Sequence, residues 1–160
     1  MRIFQCRPGA NCDGASRRLS IEMAYLLDTN VISELRRPRP HPAVLEWLGK
    51  ASNPDLYLSA VTIGELQAGV EVTRDQDTAK AAAIETWIDR IIGSYSIIPM
   101  DARCFRQWAR LMKRRSSDLA QDAMIAATAQ VHGLVVVTRN TRDFQTLGIE
   151  TFNPFLAPAR

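Results

Sequence analysis

Four short apolar runs recur along this chain, each stopping abruptly, and the first three are followed by stretches of helical character. They are Ala24-Tyr25-Leu26-Leu27 before Asp28, Leu56-Tyr57-Leu58 before Ser59, Ser96-Ile97-Ile98 before Pro99, and Leu134-Val135-Val136-Val137 before Thr138. A continuous apolar run of this length, without polar residues at every second position, suits a strand buried on both faces. Strands that alternate with helices build a parallel sheet covered on both sides, and such sheets bind ligands outside the carboxyl ends of their strands, where the strand order reverses. The expected fold is therefore α/β, a three-layer α/β/α domain around a central, mostly parallel sheet.

The helical stretches are bounded by recognisable signals. A short helix over about 30–36 must stop before the proline-rich segment Pro38-Arg39-Pro40-His41-Pro42. A second covers Ala43 to Lys50. Ser59 is a plausible N-cap for a helix from Ala60 to about Val72, residues 78–92 carry Ala81, Ile84, Ile88 and Ile91 near helical spacing, and Asp101 caps a helix reaching about Arg115. The last, small-residue helix runs from Ala120 to His132 and is closed by Gly133. No repeat and no glycine-rich phosphate loop is present, since Gly64 and Gly69 fall inside a predicted helix. That argues against a nucleotide-fuelled enzyme.

At 160 residues and 46% hydrophobic composition there is material for one core rather than two. Residues 1–22 stand apart, with no apolar period; Arg7, Pro8, Asn11, Asp13, Arg17 and Arg18 break any apolar region a secretory signal would need. They are expected to be a disordered or misassigned extension, with the domain occupying 23–156 and Met23 as its natural start. Cys6, Cys12 and Cys104 have neither a disulfide framework nor zinc spacing. No apolar run approaches the roughly 18 residues of a membrane span. A cytoplasmic location is expected. The balance of 20 Lys+Arg against 17 Asp+Glu permits an acidic polymer as partner without requiring one.

The chemistry resides in carboxylates. Asp28 ends a buried strand; Glu65 lies one and a half turns into its helix; Asp122 is a lone acid ahead of Ala123, Met124, Ile125, Ala126 and Ala127; Asp143 follows the last long strand. Each has an ordinary alternative, as Asx-turn residue, solvated glutamate, helix-dipole acid and helix cap respectively. Gathered at one sheet edge, however, they would repel unless a cation neutralised them. An oxygen-only donor set suits Mg²⁺ or Mn²⁺ rather than zinc, leaving His41 and His132 as bystanders. Such an ion at such a site serves metal-assisted phosphodiester hydrolysis.

The segments Leu26-Leu27-Asp28-Thr29-Asn30-Val31-Ile32-Ser33-Glu34, Leu58-Ser59-Ala60-Val61-Thr62-Ile63-Gly64-Glu65-Leu66 and Asp122-Ala123-Met124-Ile125-Ala126-Ala127-Thr128-Ala129 resemble, in this order, the PIN-domain ribonuclease toxins of VapBC-type toxin–antitoxin pairs, the FitB-like subgroup in particular. Thr138-Arg139-Asn140-Thr141-Arg142-Asp143-Phe144 and Phe152-Asn153-Pro154-Phe155 extend the resemblance over about residues 24–155. It implies a Mg²⁺-dependent endoribonuclease, the toxin of a type II system, forming a homodimer and held by a VapB-type antitoxin. The same resemblance makes Asp28 and Asp122 direct metal ligands and Glu65 a helper through the metal or its water. Asn30 and Thr138 become supporting positions, and the fourth acid falls at Asp143 or, in other members, where Asn140 stands.

Arg36, Arg139 and Arg142 are candidate RNA contacts by location, with Arg37, Arg39 and the run Lys113-Arg114-Arg115 as weaker candidates. Trp47, Trp87 and Trp108 lie on amphipathic helices and are assigned to packing or interfaces. Two other classes compete. A phosphotransfer or dehalogenase-like enzyme would use Asp28 as nucleophile, but it needs an aspartate at position 30, where asparagine stands. A catalytically inactive PIN-fold subunit acting through an antitoxin or DNA-regulatory complex would not need the three central acids.

Overall fold

The computed structural model describes residues 23–51 and 53–156, so the segment 1–22 lies outside the described residues. Among the described residues five strands, β1 (Tyr25–Leu27), β2 (Leu56–Ser59), β3 (Ser96–Ile98), β4 (Val135–Val137) and β5 (Thr151–Phe152), form one sheet in the order β3-β2-β1-β4-β5. Every pairing is parallel. The chain builds outward from β1 to β2 and β3, then returns to add β4 and β5 on the other side. The order therefore reverses between β1 and β4, and the crevice above that pair is where an open parallel sheet offers a site.

Among the described residues seven α-helices cover the sheet: α1 (Thr29–Glu34), α2 (Pro42–Lys50), α3 (Ala60–Arg74), α4 (Thr78–Ser94), α5 (Ala102–Leu111), α6 (Ala120–His132) and α7 (Thr141–Thr146). Successive strand residues serve opposite faces. Leu26 and Val136 pack with Ala123, Ala126 and Ala129 of α6 and Phe144 of α7, whereas Leu27, Leu58 and Val137 pack with Val31 and Ile32 of α1, Val44 of α2 and Ile91 of α4. Both faces are buried, which is why the strands show no alternation. The small residues of α6 let that helix sit close over β1 and β4. A third cluster, Val70, Ala81, Ile84 and Ile88, zips α3 to α4.

The three-layer expectation holds, with the sheet wholly rather than mostly parallel. Ser59 caps α3 by accepting from the Val61 N–H at 3.1 Å, and Asp101 caps α5 by accepting from the N–H groups of Arg103 and Cys104 at 2.9 and 3.0 Å. Gly133, at φ 66°, ends α6 in the left-handed conformation that glycine adopts without strain. Two expectations needed correction. α5 ends at Leu111 rather than near Arg115, because the chain turns through a left-handed residue, Arg114, at φ 61°. Both β5 and α7 escaped the sequence reading: two and six residues long respectively, they are too short for a periodicity to register. Among the described residues no helix is long and apolar enough to cross a membrane.

Candidate active site

The register Leu27 to Val137 puts Asp28 and Thr138 side by side at the top of β1 and β4. The Asp28 N–H donates to the Val137 carbonyl at 3.0 Å, extending the ladder one residue beyond the strands. Asp28 then turns its carboxylate back over the start of α1, where one oxygen accepts from the Thr29 N–H at 2.7 Å. At 5% exposure it is a buried acid. Its other oxygen accepts from the Thr138 hydroxyl at 2.7 Å and from the Asn30 amide.

Thr138 is the hub of this network. Its fully buried hydroxyl donates to Asp28 and accepts from the Asn30 side chain and from the Asn140 N–H, each at 2.9 Å, so its one proton and both lone pairs are used. Asn30 is equally committed: its amide nitrogen serves Asp28 and Thr138, and its oxygen accepts from the Arg139 N–H at 3.0 Å. The two positions assigned to support thus hold the ends of β1 and β4 in one arrangement.

Glu65 reaches the same region from α3, where the Thr29 hydroxyl donates to it. Asp122 comes from the first turn of α6 and Asp143 from the first turn of α7. The Asn140 side-chain amide bridges them, donating to Asp143 at 2.7 Å and to Asp122 at 3.3 Å. The structure therefore gives both candidates for the fourth position a place: Asp143 supplies the charge, and Asn140 the neutral donor between two acids.

The electrostatics of the cluster are uncompensated. Burial pushes the Asp28 carboxyl above its ordinary range, and repulsion from Glu65 adds to this, while the bonds from Thr138 and Thr29 oppose it. Glu65 is raised by burial and by Asp122 against the Thr29 bond. Asp122 is pushed up to about 6 by burial and then by Asp28 and Asp143. Among the described residues the ion pairs join Arg37 to Glu34, Lys50 to Glu46, Arg74 to Glu71 and Glu85, and Arg103 to Asp101. None of the four site acids is in one.

Residues 25–149 match the family model of the PIN domain. The chain belongs to the PIN domain family. It is similar to Toxin FitB of Neisseria gonorrhoeae, at 38% identity over 81% of this chain and 97% of that protein. It is also similar to VapC ribonuclease Y4jK of Sinorhizobium fredii, at 35% identity over 81% of this chain and 96% of that one. Among solved structures, the crystal structure of FitAcB from Neisseria gonorrhoeae superposes with a TM-score of 0.74 at 34% identity, covering 82% of this chain and 99% of its own. The acids of this PIN domain come from four different elements, and no two of them are neighbours in sequence.

Other candidates separate. Arg139 follows Thr138 directly and lies 4.8 Å over the Phe155 ring; Arg142 is exposed on α7, and Arg36 is exposed just past α1. The run 113–115 is exposed in the α5–α6 connection, with no bond to the site. His41 stands at the N-cap position of α2, its N–H donating to the buried Glu34 at 3.0 Å, and His132 is exposed at the end of α6. Trp47 packs against Tyr25 and Phe152, and the Trp108 indole N–H donates to the Ala120 carbonyl at 3.1 Å. Sequence reasoning missed Thr29 as a contact of Glu65. Its signal was position, a hydroxyl immediately after the strand-end acid.

Proposed function

We propose that this PIN domain is a divalent-metal-dependent endoribonuclease, the toxin of a type II toxin–antitoxin pair, that hydrolyses RNA phosphodiester bonds above β1 and β4. The observation that carries this reading is the gathering of Asp28, Glu65, Asp122 and Asp143 with no counter-cation among the described residues. A protein does not hold such mutual repulsion at a sheet edge without a use for it. The names of its relatives, a toxin and a VapC ribonuclease, support the same activity.

The donor set fits a hard cation, because it is carboxylate oxygen throughout and no thiol or imidazole joins it. Among the described residues no three such groups close into a finished metal cage. Mg²⁺ typically takes one or two carboxylates and keeps waters for the rest, which matches Asp28 and Asp122 as direct ligands with Glu65 acting beside them. When bound, the ion would neutralise charge on the phosphodiester and favour deprotonation of the attacking water. The chain's own groups do the positioning. Thr138 and Asn30 fix the Asp28 oxygens, Thr29 holds Glu65 over the same crevice, and Asn140 keeps Asp122 and Asp143 apart with a neutral amide.

The test is cleavage of total RNA by the purified, antitoxin-free protein with Mg²⁺ or Mn²⁺, with EDTA, and with Asp28→Asn. Cuts that require both metal and Asp28 support the assignment. No cleavage by a folded, metal-loaded protein would leave the inactive binding-subunit reading in its place.

A further inference from the structure

Beside the acids, the wall formed by α1, α3 and α4 opens into a trough that the reaction described above does not use. Its inner part is a cavity of about 190 Å³ bordered by Thr29 and Glu65 of the site, by Ser33 and Arg36, and by Trp87 of α4. The outer part, about 520 Å³, shares Ser33 and Arg36 with the first and ends at Lys80. Two adjoining cavities, sharing Ser33 and Arg36, therefore lie between a carboxylate of the site and a pair of cations.

Three features of this path favour an anionic, partly flat ligand. Arg36 and Lys80 are exposed and, among the described residues, neither is in an ion pair, so their charge is free for a ligand; the neighbouring Arg37 is engaged with Glu34 at 3.1 Å. Trp87 packs against the clusters around Ile91 and Ile84, as its helix pattern implies, but it is only partly buried and also borders the inner cavity, and its indole N–H has no hydrogen-bond partner among the described residues. An aromatic side chain bordering a cavity of this size offers one nucleobase a stacking partner, and base stacking tolerates any sequence. The sign of charge also changes along the trough. The acids at one end would repel a phosphate unless an ion is present, whereas Arg36 and Lys80 attract the next ones along the strand.

We infer that this trough carries the single-stranded RNA away from the scissile phosphate, with Trp87 as the stacking face for the adjoining nucleoside and Arg36 and Lys80 as contacts for the phosphates beyond it. The inference rests on the ribonuclease reading for its choice of ligand, but its test does not depend on turnover. A phosphate contact releases condensed counterions, so each one lost lowers the slope of log K against log salt by about 0.7 for a single strand. Stacking carries no such salt signature.

The experiment is binding of a fluorescein-labelled 12-nucleotide single-stranded RNA in EDTA, across a salt series, by the full chain and by R36Q/K80Q, Trp87→Ala and Trp87→Phe. Lys50→Gln serves as control, an exposed cation outside the trough. R36Q/K80Q is expected to bind more weakly, with its slope reduced by about 1.4, because both changed residues are exposed and the fold is untouched. Trp87→Ala is expected to lose roughly 5- to 100-fold in affinity at unchanged slope, and Trp87→Phe to recover much of it. Wild-type affinity and slope in R36Q/K80Q would overturn the path. So would competition by a hexaglutamate peptide for the trough with RNA binding intact in every variant, which would make it a site for an acidic protein tail. If the wild type cuts no RNA under any metal condition yet binds the oligonucleotide with this dependence, the path stands and the ribonuclease assignment falls.

Discussion

Asp122→Asn should make the metal-free protein more stable while removing its activity. The side chain keeps its shape, and an asparagine oxygen at position 122 can still accept from the Asn140 amide, now at 3.3 Å. What disappears is charge. A carboxyl held at about 6 instead of 3.8 destabilises the folded state at neutral pH by at most about 3 kcal/mol, at ~1.4 kcal/mol per tenfold. Asp122 is only half-buried, so solvent screening reduces that to on the order of 1 kcal/mol. For a domain of this size the gain is a melting temperature higher by about 3–5 °C. The sign with pH follows from linkage. Because the folded-state value is raised, the folded protein binds its proton more readily, so the associated stability is present below about pH 4 and is lost as pH rises through about 6. Wild type in EDTA should therefore gain stability from pH 7.5 to pH 5, and Asp122→Asn should gain less. Thermal unfolding of both proteins at the two pH values, with EDTA and with Mn²⁺, reads all of this. Added Mn²⁺ should raise the wild type at pH 7.5 more than the variant. A variant that melts at or below wild type in EDTA at pH 7.5 would refute the claim that repulsion and burial govern this acid.

Thr29→Val removes the hydroxyl that Glu65 accepts from; RNA cleavage should fall at least about tenfold while the melting temperature shifts little, and an unchanged rate would show that Glu65 needs no holding. Thr138→Val leaves Asp28, Asn30 and the Asn140 N–H each short of a partner in a buried setting, so it should cost on the order of 1–3 kcal/mol in urea denaturation as well as activity. We further propose that residues 23–156 are the whole functional domain: a chain starting at Met23 should match the full protein in cleavage rate and melting temperature, and a loss of either would show that residues 1–22 contribute to it.

The layers of this domain were legible because burial on both faces leaves a plain mark, the unbroken runs Leu26-Leu27 and Val135-Val136-Val137. The capping residues Ser59, Asp101 and Gly133 were legible for the same local reason, each acting within a few residues of itself. Asp28 and Asp122 stood out as charges next to apolar surroundings. The bonds that organise them did not. Thr138 is 110 residues from Asp28, and Asn140 is 18 from Asp122, and no local pattern records which polar group will meet which. The trough was invisible for a related reason, since Trp87 of α4, Glu65 of α3 and Arg36 in the turn after α1 lie far apart in sequence and no local pattern records that they meet.

The same long-range bonds answer a question that the hydrophobic pattern leaves open. In a sheet with one solvated face, a one-residue slip would turn apolar side chains outward, and burial alone enforces register. Here Leu26 and Leu27, and Val136 and Val137, are apolar toward both layers, so a slip of β4 against β1 changes little in what is buried. It changes everything at the strand ends. Only the observed register, Leu27 beside Val137, lets Asp28 take the Val137 carbonyl through its N–H and the Thr138 hydroxyl through its carboxylate. A slipped pairing would leave the Asp28 carboxylate with its local bonds from Thr29 and Asn30 but without the Thr138 donor, and a buried carboxylate that loses a donor costs more than a hydrogen bond between neutral groups contributes. The polar groups that build the site are thus the groups that select the alignment of the two strands on either side of the topological switch. Site geometry and sheet register are one constraint in this chain, carried by Asp28, Asn30 and Thr138.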